Sequence, residues 1–363
     1  MAWPSPACWN SRSDSWNTSR CWLPSSAGQS TMMKIAVLAP LAFPVREPFA
    51  GGLEKHTAEL AAGLAQRGHA VTLLARPGSV AGEGVSLRPV TGGYRQALGE
   101  LRRGDFDLVQ NNSLHFLPLL LGAWLKVPLV TTLHTPPFRG LRLAARLSRR
   151  RSTVSFVAIS EYIRNAWRPY AGESEVIYNG VSSAHWPFSA RGEPQRAVWA
   201  GRISPEKGPE LAIAAAERAG YALDLAGPVY DQSYFDREIA PRLNDRICYH
   251  GALTGQALAR LMGRAAVGLF TSVWEEPFGL VIPEMLACGT PVAGFRSGAA
   301  PELINERVGQ LVEKGNVPAL VAALPRVAGL DRHACRAHAE RYFRLEAMIL
   351  AYEGYYRRIL MNV

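Results

Sequence analysis

Cysteine is scarce in this sequence, and what there is does not pair. Cys8, Cys21, Cys248, Cys288 and Cys335 form no C-x-x-C motif and no regular framework. That excludes a disulfide-stapled scaffold and a four-cysteine zinc site, and it fits free thiols in a reducing, cytoplasmic compartment. Long hydrophobic runs are also missing. The nearest candidate, Leu114 to Leu125, is short and contains Pro118, so nothing reads as a bilayer span. The histidines form no H-E-x-x-H or H-x-x-E-H group, and no metal site is expected. There is no short-period repeat. Acidic residues are the minority, 30 against 40 Lys and Arg, which leaves a net charge of +10 and selects acidic partners. A phosphate-bearing ligand or an anionic membrane surface satisfies that balance. Nucleic acid satisfies it too, but no zinc-finger, basic-zipper or RNA-binding signature is present, and none is expected as a partner.

What remains is ample for folding. The 363 residues suit two ordinary domains, and a hydrophobic share of 48% supplies their cores. Residues 1–31 stand apart, with many Ser and Trp, several Pro and no periodic apolar pattern. They lack the apolar core of a signal peptide. Met32-Met33-Lys34 leads straight into the apolar run Ile35 to Ala39, so residues 1–32 are expected to be a disordered or mis-started tail. From there strands and helices alternate. Strands are expected at Ile35–Ala39, Ala70–Ala75, Val85–Val90, Leu108–Val109, Leu129–Leu133 and Val154–Ile159, and a helix at Leu53–Arg67. A second such series starts near Arg196, with a strand at Ala197–Ala200, a helix at Pro209–Ala219, and strands at Tyr221–Ala226, Ile247–His250 and Ala266–Phe270. Continuous apolar strands between helices mean a parallel sheet covered on both faces. The reading is α/β, two Rossmann-like doubly wound domains, 33–187 and 188–341, with a Ser/Pro/Gly/Arg-rich linker at Ser182–Pro194. Such domains leave a ligand cleft at the carboxyl ends of their strands.

One stretch carries most of the chemistry: Trp274-Glu275-Glu276-Pro277-Phe278-Gly279-Leu280, running on through Pro283 and Glu284 to Gly289 and Val292. Pro277 and Gly279 make a turn, Pro283 suits the start of a helix, and Gly289 ends it. Glu276 then lies on a loop and Glu284 in the first helical turn. The amides of Phe278, Gly279 and Leu280 precede a helix N-terminus, a place to hold an anion. Carboxylates beside an anion site suit a ligand with phosphate and many hydroxyls, a nucleotide-sugar. The bland reading is a loop cap plus a helix-dipole partner.

Two further loops fit the same ligand. Gly51-Gly52 opens the first helix, where backbone without Cβ can approach a phosphate. Gly201-Arg202-Ile203-Ser204-Pro205-Glu206-Lys207-Gly208 follows the first strand of the second domain. Arg202 and Lys207 can grip a diphosphate there, as a planar fork and a point charge. Their attraction grows as the leaving group gains charge, so they favour the transition state. Ser160 reads as a helix N-cap and Asn179-Gly180 as a turn. Arg139, Arg142, Arg146, Arg149, Arg150 and Arg151 fall largely on one helical face, either solvated or against an anionic membrane.

These strings resemble the retaining glycosyltransferases of the GT-B fold, family 4 or "group 1", with their E-x7-E signature. The resemblance runs from about Met33 to the C-terminus and is closest over Trp274–Val292, Gly201–Gly208 and Gly51–His56. It implies that the helix of residues 342–363 crosses back to the first domain. It implies that Gly52 lies over the donor, that His134 meets the transferred sugar, and that Tyr249 and Gly251 line the base pocket. It assigns the sugar hydroxyls to Glu276 with the 278–280 amides, and the ribose to Glu284. His115 and Asn112 are weaker candidates for the acceptor, and Ser297–Glu302 supports the site. No bound cofactor and no metal is implied, since no D-x-D sits at a strand end and Arg202, Lys207 and a helix terminus replace the cation. Met285 and the pair Thr271-Ser272 depart from the usual pattern and leave the donor's identity open. The remaining alternatives are a GT-B epimerase or phosphorylase, and a non-catalytic binder.

Overall fold

A computed structural model describes residues 31–151 and 153–362; the expected tail, apart from Thr31 and Met32, lies outside them. The first half builds a seven-stranded sheet from β1 (Lys34–Leu38), β2 (Ala70–Ala75), β3 (Val85–Pro89), β4 (Leu108–Asn111), β5 (Leu129–Leu133), β6 (Val154–Ala158) and β7 (Glu175–Val176). The second builds a six-stranded sheet from β8 (Glu193–Ala200), β9 (Ala222–Ala226), β10 (Ile247–Tyr249), β11 (Ala265–Phe270), β12 (Val292–Phe295) and β13 (Gly309–Val312). The orders are β3-β2-β1-β4-β5-β6-β7 and β10-β9-β8-β11-β12-β13. Every pairing is parallel. Strand order reverses beside β1 in one sheet and beside β8 in the other. Loops leaving such a switch point diverge and open a crevice.

The helices of the first lobe are α1 (Gly52–Gln66), α2 (Gly93–Arg103), α3 (Phe116–Leu121), α4 (Arg139–Ser148) and α5 (Glu161–Ala171). Those of the second are α6 (Pro209–Ala219), α7 (Gln232–Tyr234), α8 (Gly255–Arg264), α9 (Val281–Ala287), α10 (Ala300–Leu303), α11 (Val317–Ala328) and α12 (Arg332–Tyr342). The last helix, α13 (Leu345–Met361), returns to the first lobe as expected. It buries Met348, Ile349, Tyr352 and Tyr356 against β1, β2 and α1. The Tyr352 hydroxyl meets Thr132 Oγ1 at 3.0 Å, and Tyr356 donates to Gln110 Oε1 at 2.9 Å. Buried hydroxyls left without such partners would cost about 1–3 kcal/mol each. The first sheet therefore fixes both the position and the rotation of α13.

Three local expectations change. Asn179-Gly180 is no turn. The chain passes there beside the start of α13, and a Cβ on Gly180 would lie 2.5 Å from Leu345 Cα. The glycine is there for close backbone approach. The linker is shorter than read, because β8 already begins at Glu193. And α9 begins at Val281, two residues before Pro283, although Glu284 still falls in its first turn and Gly289 ends it at φ +84°.

Candidate active site between the lobes

In the second lobe, Gly208 (φ +62°) turns the chain from a single 3-10 turn, Pro205–Lys207, into α6. This turn carries Lys207 beyond the end of β8. Its ammonium pairs with Glu276 Oε1, and the Ser272 hydroxyl donates to the same oxygen at 3.0 Å. Thr271 Oγ1 donates to the Gly208 carbonyl at 2.8 Å and accepts from Trp199 Nε1 at 3.0 Å, tying the loop after β11 to the loop after β8. Glu276 is 6% exposed. Gly298 (φ +51°) lies so close behind it that a Cβ would sit 2.0 Å from the Glu276 carbonyl oxygen. The unusual Thr271-Ser272 pair is thus the scaffold of Glu276 and its loop.

Beyond Glu276, the Pro277 carbonyl accepts from Ser160 Oγ of the first lobe at 2.7 Å. The Phe278 ring is buried between Tyr178 and Phe343. Among the described residues, no acceptor is found for the amides of Phe278, Gly279 and Leu280, which precede α9. Leu280 faces Gly52 across the cleft, where a Cβ would come 2.9 Å from its Cδ1. Glycine at the mouth of α1 lets the two lobes approach.

The first lobe contributes more than expected. Lys55, one turn along α1, pairs with Glu284 Oε1 at 2.5 Å and lies 5.2 Å from the Trp186 ring centre. Burial opposes its charge, but Glu284, Glu59 and Glu47 outweigh that and raise its pKa. Glu59 is pushed up to about 7, chiefly by burial, with Lys55 pulling the other way. His134, just past the end of β5, is buried. Its ring meets His56 edge-on at 4.8 Å. Burial holds His134 well below its usual value and His56 down to about 4. Both rings are therefore neutral near pH 7. Nε2 of His134 is buried with no hydrogen-bond partner among the described residues, and the His56 ring has only the nearby Asn179 side chain to turn to, in a geometry short of a full hydrogen bond. Buried polar atoms of this kind are rare and expect a partner.

The other named residues divide. Arg202 is partly exposed, 3.8 Å from Glu206 and 5.0 Å from the Tyr230 ring centre, so it is free to turn toward a ligand. The Gly251 carbonyl accepts from Gly227 N at 2.8 Å, and Tyr249 donates to the Gly227 carbonyl at 2.7 Å while its ring packs on Phe235. His115 caps α3 through Nδ1 and stacks between Tyr94 and Phe116, with ring centres 4.5 Å away on each side. Asn112 corrects an expectation. It is fully buried, takes a hydrogen bond from Gln110 and gives one to Thr57, and so belongs to the floor beneath the site. Ser160 caps α5 as expected, accepting from Ile163 N at 3.1 Å. Glu302 adds a second cap from the opposite lobe, accepting from Glu161 N at 2.7 Å and Tyr162 N at 2.6 Å. Lys55 and His56 escaped the sequence reading, and Ser272 entered it only as a departure from the usual pattern. A lysine inside the buried part of α1 was the available signal for the first.

Both halves of the chain match known protein families. Residues 50–185 match Glycosyltransferase Family 4, and residues 183–340 match Glycosyl transferases group 1. A glycogen synthase of Mycobacterium tuberculosis is 33% identical over 180 residues, which is 47% of this chain and 43% of that protein. The chain thus spans less than half the length of that relative. A D-inositol 3-phosphate glycosyltransferase of Mycobacteroides abscessus is 27% identical over 77% of this chain and 78% of its own. Among solved structures, AviGT4, a glycosyltransferase involved in avilamycin A biosynthesis, superposes with a TM-score of 0.73 at 27% identity, covering 91% of this chain and 99% of that one.

Proposed function

The chain belongs to the family 4, group 1 glycosyltransferases, and from that premise we propose that it moves a sugar from a nucleoside-diphosphate donor to an acceptor with retention of anomeric configuration. The observation that carries the reading is the Lys207–Glu276–Ser272 constellation, followed by amides without an acceptor among the described residues and by Leu280, which faces Gly52 across the cleft. Arg202 and Lys207 balance the diphosphate. Glu276 and the 278–280 amides hold the sugar hydroxyls, Glu284 the ribose, and the neutral His134 a further sugar hydroxyl. Tyr249 and Gly251 border the base, and His115 borders the acceptor side.

In the transfer, the bond from the anomeric carbon to the β-phosphate oxygen breaks. The acceptor oxygen bonds to the same face, and its proton passes to the departing phosphate. No protein nucleophile is needed. Charge builds on the leaving diphosphate as that bond stretches, so the cations contribute most at the transition state. Because they do a cation's work, chelators are expected to leave turnover unchanged. The lysines that hold Glu276 and Glu284 must yield part of these carboxylates to the donor hydroxyls, which couples donor entry to the contact between α1 and α9. A cytoplasmic setting follows if the donor is a cellular sugar nucleotide; among the described residues no helix is long and apolar enough to cross a membrane.

The test is incubation with a panel of uridine, guanosine and adenosine diphosphate sugars without acceptor, followed by NMR. Slow release of nucleoside diphosphate with a sugar of retained configuration supports the reading. An epimerised sugar with no released nucleotide points to an epimerase. No reaction and no binding with any donor overturns it.

A further inference from the structure

The sequence between Asp107 and Glu161 contains no acidic residue, yet it holds Lys126 and six arginines. Most of that charge lies on or just after α4. The inner face of α4 is Leu141, Ala144, Ala145 and Ser148, which packs on the first lobe. Its outward stripe is Arg139, Leu143, Arg146, Leu147 and Arg150. Leu143 and Leu147 are one helical turn apart and stand 62% and 54% exposed. Phe138, just before α4, and Phe116, whose ring lies 4.0 Å from where a Cβ on Gly140 would be, extend the apolar surface at 44% and 41% exposed. Arg142 and Arg146 lie over the Tyr170 ring, 5.3 and 5.2 Å from its centre, so they form a shelf beside the two leucines.

A purely solvated face needs no leucines, and a purely apolar contact needs no row of arginines. Apolar side chains one turn apart, flanked by long cations, suit a boundary where acyl chains meet anionic headgroups. We propose that the chain docks through α4 and the neighbouring end of α3 onto an anionic lipid bilayer. Leu143, Leu147, Phe138 and Phe116 enter the boundary, and Arg139, Arg146 and Arg150 meet the lipid phosphates. α3 and α4 begin at the carboxyl ends of β4 and β5, the same end of the sheet as His134. The bilayer would therefore lie beside the acceptor side of the cleft. This docking does not depend on the transferase reading, and its test needs no substrate.

The experiment is flotation of the full chain with vesicles of phosphatidylcholine alone, or with phosphatidylserine or phosphatidylglycerol added. Binding to the anionic vesicles only, weakening as salt rises, is the expected result. Arg139→Glu with Arg150→Glu should lower the partition coefficient roughly twentyfold or more, about fivefold per cation removed before repulsion is added. Leu143→Ser with Leu147→Ser should also lower it, since the buried apolar area is lost, and these surface changes should leave the melting temperature unchanged. Equal binding to neutral vesicles, salt-insensitive binding, no binding, or capture by duplex DNA or heparin but not by vesicles overturns the proposal.

Discussion

Glu276 is nearly out of reach of water, and its carboxylate is held by Lys207 and the Ser272 hydroxyl. Lys207→Ala leaves a buried carboxylate half-partnered and, on the proposed reading, removes one diphosphate contact. A charged hydrogen bond is worth roughly 1.5–3 kcal/mol, so kcat/KM in a donor-turnover assay should fall about tenfold to a hundredfold or more. The histidine pair makes a prediction of a different kind. The His56 ring titrates near 4 in the folded chain against an ordinary 6.5, so the folded protein favours its neutral form. As pH falls through that window, the unfolded chain takes up a proton that the folded chain refuses. His56 then costs about 1.4 kcal/mol of stability per pH unit. Denaturant titrations across this range should show stability dropping with acidity, and His56→Asn should flatten the slope by about one proton's worth. At this scale the sequence was legible where a loop carries its own signature, as at Arg202, Lys207, Glu276 and Glu284. It was not legible for Lys55 or His56. Their roles come from α1 being enclosed by the second lobe and α13, contacts that no local spacing encodes.

Elements were easier to read than their partnerships. β2, β5 and α6 fall where periodicity and glycine stops place them, because an apolar run bounded by turn residues has few alternatives. The passage through Asn179-Gly180 misled because a turn dipeptide also serves where another backbone comes close. Which helix is capped by which residue stayed hidden as well. Ser160 caps α5 locally, but Glu302 reaches the same helix from the other lobe, 141 positions away in sequence for its Glu161 contact. Glu302→Ala should therefore cost about 1–2 kcal/mol, read as a lowered denaturant midpoint. The two lobes should also part more readily, visible as faster amide exchange at Glu161 and Tyr162 with β2 and β9 unaffected.

For the whole molecule, closeness of the lobes is the feature on which function rests. Lys55 reaches Glu284, Ser160 reaches Pro277, and Gly52 meets Leu280, so the two switch points share one crevice. That two doubly wound sheets would face each other was readable from their alternating elements and from the family resemblance. How tightly they meet was not, since it depends on side chains from both halves. A ligand gripped by both lobes stabilises the folded chain by mass action, about 2.7 kcal/mol at a hundredfold excess over Kd. The most direct measurement is thermal unfolding with nucleoside diphosphate sugars, for the natural chain and for Arg202→Glu, a partly exposed position where folding should survive. The account predicts that at least one such donor raises the melting temperature of the natural chain and that Arg202→Glu abolishes the rise. An equal rise in both proteins, or none with any donor, would contradict it.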